Sequence, residues 1–235
     1  MTTKKTIALF ITSCLLLAGC ANFQDDSGNS ALNDNKSSDI INQEDFASKP
    51  EDETQTISPL PDTTMENLTD ANLSVSLEEG DAYVDDKGIM QMDLKIYTYD
   101  KYDMSDVANL KVGDTILTES GAVEVTSKEQ SEMGTIHING GLEAGGIDLV
   151  TNDSGIFYEI GFNDTKNWYE VGEATIRVSA DFKGIDNADL ELGEVIIYPG
   201  DFLIGAVKNY NFTPYNTTIR VEEGQIVEMN RVYTP

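Results

Sequence analysis

Apolar and polar positions change rhythm twice along the 235 residues. Residues 6–17 form an uncharged, mostly apolar run. Residues 21–71 hold few apolar side chains, and from Leu73 onward the apolar positions recur with period two. The clearest example puts Met90, Met92, Leu94, Ile96 and Thr98 on one face and Gln91, Asp93, Lys95, Tyr97 and Tyr99 on the other. That alternation predicts a half-buried antiparallel strand over 90–98. Asp85-Asp86-Lys87-Gly88 has hairpin chemistry and joins it to a strand over 81–84. Further short β runs follow at 115–118, 123–127, 135–139, 147–151, 156–162, 174–180, 195–198, 202–207, 217–222 and 225–233, each bounded by Gly, Asn, Asp or Ser. One helical turn interrupts them, over 103–110, with Asp103 as its N-cap and Asp106 in its first turn. The expected fold is all-β, an antiparallel sandwich or barrel of about ten short strands occupying residues 72–235. The segments 110–116 and 190–196 share a Leu, a Gly-acidic turn and a β-branched run. Either a half-domain duplication or independent use of one turn explains them.

The stretch before this domain reads differently. Acidic groups such as Asp25-Asp26 and Glu51-Asp52-Glu53 crowd 21–71, Pro50, Pro59 and Pro61 punctuate it, and its only aromatics are Phe23 and Phe46. Such a composition cannot offset the entropy of ordering, so residues 20–71 are expected to form a disordered acidic tether. About 50 flexible residues span ~40 Å, and like charges extend them further.

Lys4-Lys5, the apolar run at 6–17 and the small residues Ala18-Gly19 have the order of an export signal. The run is shorter than the ~20 residues that cross a bilayer core, so it is not expected to remain as a transmembrane helix. Leu17-Ala18-Gly19-Cys20 resembles the lipobox of bacterial lipoproteins at every position. The resemblance implies removal of residues 1–19 and a diacylglycerol on Cys20, with palmitate-type acylation. The product would be held by lipid on the outer face of the cell membrane. It covers some 20 residues and says nothing of the folded domain.

Charge then narrows the partners. Without residues 1–19 the chain carries 13 basic and 42 acidic side chains, a formal charge of −29. Such a field repels nucleic acid and acidic glycans and favours cations, basic peptides or neutral ligands. It also simply keeps an exported protein soluble. Of the two cysteines, Cys14 lies in the signal and Cys20 is the lipid position. The folded part therefore has no cysteine for a disulfide, thiolate metal site or nucleophile.

The candidate chemistry is sparse. His137 is the only histidine and, between inward Ile136 and Ile138, points outward with no evident catalytic partner. Residues 139–146 are rich in glycine but join two strands and lack lysine, which makes them a hairpin connection rather than a phosphate loop. Calcium is the one cofactor that the acidic turns suggest, through Asp100, Asp103 and Asp106 or through Asp186 and Asp189 with Asp181, Asn187 and Glu191; neither group has EF-hand spacing. Tyr97, Tyr99 and Tyr102, with Trp168 and Tyr169, offer an aromatic platform suited to a neutral sugar or a peptide, or else core packing. The reading that follows is a non-catalytic binding or structural module facing an envelope glycan, peptide or protein partner. The alternative is a carboxylate-based hydrolase of a neutral glycan, which requires two acids converging in a cleft.

Overall fold

The computed structural model describes residues 53–151, 154–161 and 165–234. The signal-like run, Cys20, the tether as far as 52 and the loop residues Asn163 and Asp164 lie outside the described residues. Within them the chain is all-β. Its strands are β1 (Thr56–Ile57), β2 (Ala71–Ser76), β3 (Ala82–Val84), β4 (Met90–Thr98), β5 (Lys101–Tyr102), β6 (Thr115–Thr118), β7 (Gly121–Glu124) and β8 (Lys128–Gln130). After these come β9 (Ile136–Ile138), β10 (Ile147–Thr151), β11 (Phe157–Ile160), β12 (Tyr169–Asn187), β13 (Val195–Ile197), β14 (Thr217–Glu222) and β15 (Gln225–Val232). Helix α1 is Met104–Asn109 and α2 is Pro199–Leu203.

β12 is the element that turns a sheet into a barrel. Its first half pairs antiparallel with β4, from Tyr169↔Thr98 to Arg177↔Gln91. Its second half runs parallel to β15, and the register shifts between Val178 and Lys183, where the strand bends. β4 pairs in turn with β2, β2 with β14 and β14 with β15. The ring β2-β4-β12-β15-β14 therefore closes on itself, and four of its members stand in the Greek-key order β14-β2-β4-β12. Closure leaves no edge within the ring. Two short strands extend it: β3 on β4, and β13 on the far half of β12.

The period-two pattern puts Met92, Leu94 and Ile96 of β4 inside with Leu73 and Val75 of β2, Ile219 and Val221 of β14, and Ile226 and Met229 of β15. One mouth of the barrel is filled by rings. Phe202 of α2 packs against Phe182, Tyr210 and Phe212 at centroid separations of 6.3, 6.3 and 5.7 Å. This corrects the strand expected over 202–207. Pro199 stands in the first turn of α2, and Asp201 accepts a hydrogen bond from the Tyr198 N–H at 2.6 Å. Those are helix-starting signals that an apolar count passes over.

Residues 99–168, between β4 and β12, form an inserted lobe with its own core around Tyr102, Val107, Ile116, Ile138 and Leu149. It holds the antiparallel sheet β5-β11-β10-β9-β8 and the small sheet β1-β6-β7. β1 belongs to the supposed tether, so the folded unit starts well before residue 72. Ile57 is buried in the lobe core, Thr56 and Ile57 pair in parallel with Thr115 and Ile116, and the Leu60 N–H donates to the Lys101 carbonyl at 2.6 Å. Farther along, Met65 lies against Gly172 of β12, where an added Cβ would come within 2.8 Å of the methionine. Residues 53–70 thus bind lobe to barrel.

Helix α1 forms as expected: the Asp103 side chain accepts from the Ser105 N–H at 2.7 Å. The far end of α1 is capped by Lys128, whose Nζ donates to the carbonyls of Val107, Ala108 and Leu110 at 2.6, 2.9 and 2.9 Å. The glycine-dense connection joins β9 to β10, and crowding dictates Gly140, Gly141 and Gly146, while Gly145 has open space around it. A Cβ at Gly141 would sit 2.3 Å from Asp148 Oδ1 and 2.9 Å from His137 Nδ1. Segments 110–116 and 190–196 lie in different surroundings, β6 in the lobe and β13 on the barrel.

Candidate functional site

The five aromatic residues singled out in the sequence fall in four places. Tyr99 and Trp168 do meet, edge to face at 4.8 Å, and Tyr158, which sequence reasoning missed, joins them at 5.7 Å from Tyr99. Cations of the chain itself cover this cluster. Lys166 Nζ lies 4.3 Å from the Tyr99 ring centre and 5.2 Å from that of Trp168, and Lys101 Nζ lies 4.8 Å from Tyr99. Tyr97 instead points to Ser76, hydroxyl to hydroxyl at 3.1 Å. Tyr102 is no platform residue: it is fully buried, donating to the Leu117 carbonyl at 2.9 Å. Burial first, and the charges of Asp100 and Glu159 next, push its phenol well above the ordinary range.

Tyr169 belongs to a polar knot where lobe meets barrel. Its hydroxyl donates to Asp100 Oδ1 at 3.0 Å, while Asp100 Oδ2 accepts from the Glu119 N–H at 2.7 Å. Glu159, on β11, is buried beside it. Its Oε1 accepts from Asn167 Nδ2 at 2.8 Å, and its Oε2 has no hydrogen-bond partner among the described residues. Burial raises the Glu159 pKa; the Asn167 hydrogen bond opposes this, and the nearby Asp100 charge adds to it.

Of the five aspartates proposed for calcium, Asp100, Asp103, Asp186 and Asp189 are engaged in local structure. Asp100 is in that knot, Asp103 caps α1, and Asp106 is exposed in the first turn of α1. Asp189 accepts the N–H groups of Glu191 and Leu192. Asp186 forms a two-point ion pair with Arg231, with Nε to Oδ1 at 3.0 Å. Burial pushes the Asp186 carboxyl up, but the hydrogen bonds from Arg231 and the Ala188 N–H, with the arginine charge, bring it below the ordinary range. Among the described residues no three His, Asp or Glu side chains gather as a metal site. His137 lies in a cross-strand row between Glu129 and Asp148, with its Nδ1 2.7 Å from Asp148 Oδ1.

One concavity among the described residues was not legible from spacing. A groove of about 750 Å³ runs beside β13, within the ~300–1,000 Å³ typical of ligand pockets. Two others, of about 510 and 540 Å³, are smaller. The groove is lined by β13, the turn at 188–193, residues of the segment 206–211 and the Asp186–Arg231 pair. The turn satisfies its polar groups internally: Asp189 accepts two of its N–H groups, and Gly193, with φ 67°, donates back to the Asp189 carbonyl. Its leucines are consequently left outside, Leu190 72% and Leu192 60% exposed, next to the partly exposed Val195 and Ile196. Asn209, also in the lining, holds a left-handed backbone at φ 68°. No helix among the described residues is long and apolar enough to cross a membrane. Set against protein-family models, curated proteins and solved structures, the chain matches none.

Proposed function

We propose that the protein is a lipoprotein moored through an acylated Cys20 to the outer face of the cell membrane, and that its folded unit is a non-catalytic module that binds a partner through the groove beside β13. The anchoring rests on the charged-apolar-small order of residues 4–19 and on Leu17-Ala18-Gly19-Cys20. The binding role rests on one observation: Leu190, Leu192, Val195 and Ile196 line a single groove and are all substantially exposed. Single exposed apolar residues are ordinary, whereas a contiguous set around a concavity marks an interaction surface.

Both parts can be tested in cells. Cys20→Ala is expected to abolish labelling by an alkyne palmitate analogue and to move the protein out of the membrane fraction. A photo-crosslinker at Leu192 is expected to give a discrete adduct that Ile196→Lys removes, with none from a crosslinker at Val112, an equally exposed position in the lobe. Adducts that are equal at both positions, or indifferent to Ile196→Lys, would count against the groove. The hydrolase reading has one observation in its favour, the proximity of Asp100 to a desolvated Glu159. Neither residue lines any of the three cavities described above. Hydrolysis of a neutral oligosaccharide that is lost in Glu159→Gln would favour it over the non-catalytic reading.

A further inference from the structure

Taking the groove as the binding surface, the geometry points to its ligand class: an extended peptide with alternating apolar and cationic residues, added as a strand to the free edge of β13. Three features carry this. First, β13 is the terminal strand of its sheet, paired with β12 on one side and with no described strand on the other. An edge strand presents alternate N–H and C=O groups outward, and natural edges are usually blunted by Lys, Pro or a bulge. Val195-Ile196-Ile197 contains none of these, and its only blunting feature is its length of three residues, with Pro199 just beyond. Among its apolar neighbours in the groove lining are the exposed Leu190 and Leu192. An added strand would be held by main-chain hydrogen bonds, and its alternate side chains would meet those apolar groups.

The second feature is charge. Asp186 is neutralised by Arg231, which leaves Asp189, Glu191 and Asp201 along the groove against Lys208, and Glu194 is exposed at the head of β13. Hydrogen bonds that these carboxylates accept from backbone N–H groups do not cancel their charge. The excess is negative, so cationic side chains on the peptide are favoured. The third feature excludes the nearest competitors. A second copy of the processed chain would bring a charge of −29 against −29. The chain's own residues 21–52, with eight acidic and two basic side chains, would be repelled in the same way.

The test uses the full chain in a neutral detergent with four fluorescent seven-residue probes, read by anisotropy. They are a Lys-Val alternating peptide, the same peptide N-methylated at alternate residues, a Glu-Val counterpart, and a Lys-Ser counterpart without apolar side chains. The Lys-Val peptide is expected to bind saturably at 1:1, with the N-methylated, Glu-Val and Lys-Ser peptides each at least tenfold weaker. Binding is also expected to add hydrogen-exchange protection at residues 194–198. Ile196→Lys and Leu192→Lys, both at exposed positions, are expected to weaken the Lys-Val peptide at least tenfold while the thermal melt stays in place. Equal binding of the N-methylated peptide would overturn strand addition, and equal binding of the Glu-Val peptide would overturn the charge selection. Indifference to both groove variants would show diffuse attraction to an acidic surface and overturn the site. Should no probe bind at millimolar concentration while the Leu192 crosslink still forms and still depends on Ile196, the peptide inference fails and the groove reading stands.

Discussion

Ile96 in the barrel and Ile138 in the inserted lobe are both wholly buried, but they are held there by different means. Ile96 lies in a nine-residue strand flanked by β2, β3 and β12, inside a cluster of eighteen buried apolar residues. Ile138 ends a three-residue strand in a cluster of eleven. The smaller core is supplemented by side chains that take over from the ladder. Asp114 accepts the N–H groups of Gln55 and Lys111 at 2.8 Å each, Asn139 accepts those of Thr126 and Ser127, and Lys128 caps α1. A closed ring distributes its stability over many equivalent bonds, whereas the lobe concentrates it in a few polar residues. Local opening should therefore begin in the lobe.

Truncation after Glu222 would make the strongest test of that contrast. It removes β15 from between β14 and β12 and should abolish the cooperative melt altogether. A native-like melt after truncation would mean the ring is not the stabilising unit. Phe202→Ala comes next. Emptying the aromatic plug is expected to cost about 3–5 kcal/mol and to lower the melting temperature by roughly 6–20 °C. Circular dichroism and the fluorescence of Trp168, the only tryptophan, should shift together.

Lys128→Met is expected to act unevenly. Loss of a charged donor to three carbonyls should cost roughly 2 kcal/mol, read by hydrogen exchange as faster opening around α1 and β8 with β4 and β12 still protected. Uniform loss of protection would erase the distinction between the regions. Asp114→Asn should loosen β1 in the same selective way. Although burial pushes the Asp114 carboxyl up, the Gln55 and Lys111 N–H groups outweigh it and hold the pKa low. Its contribution is thus present above the ordinary carboxylate range and lost as pH falls through the folded value.

Glu159 has the opposite sign and the smallest effect. With its folded pKa raised, the native state binds more protons than the unfolded chain between the ordinary and raised values, so stability falls as pH rises through that window. Glu159→Gln should flatten the slope and, above the window, raise the melting temperature. A melting temperature unchanged at neutral pH would show that the carboxylate is solvated after all.

Much of the fold is legible in the sequence. The strands over 90–98, 115–118, 147–151 and 217–222 fall where alternation places them, and Asp103 caps the one helix expected. The candidate site was much less so. Tyr99 and Trp168 were named and do meet, but Lys166 and Lys101 lie over them, and Tyr102 belongs to a core. The groove went unseen because its apolar members, Leu190, Leu192, Val195 and Ile196, look like ordinary core residues in a chain of such residues.

What the sequence determined by itself is therefore local: which stretches extend, which face of each is apolar, and how much negative charge surrounds them. These follow from the two-residue repeat of the extended backbone and from residue identity, neither of which needs a distant partner. Only the tertiary structure decided that β12 runs on for nineteen residues and serves two sets of neighbours, that residues 53–70 join the fold, and that β13 has no described strand along its outer edge. Those outcomes depend on pairing between segments far apart in the chain. Alternation can specify a strand's two faces, but it cannot say what lies along its edges.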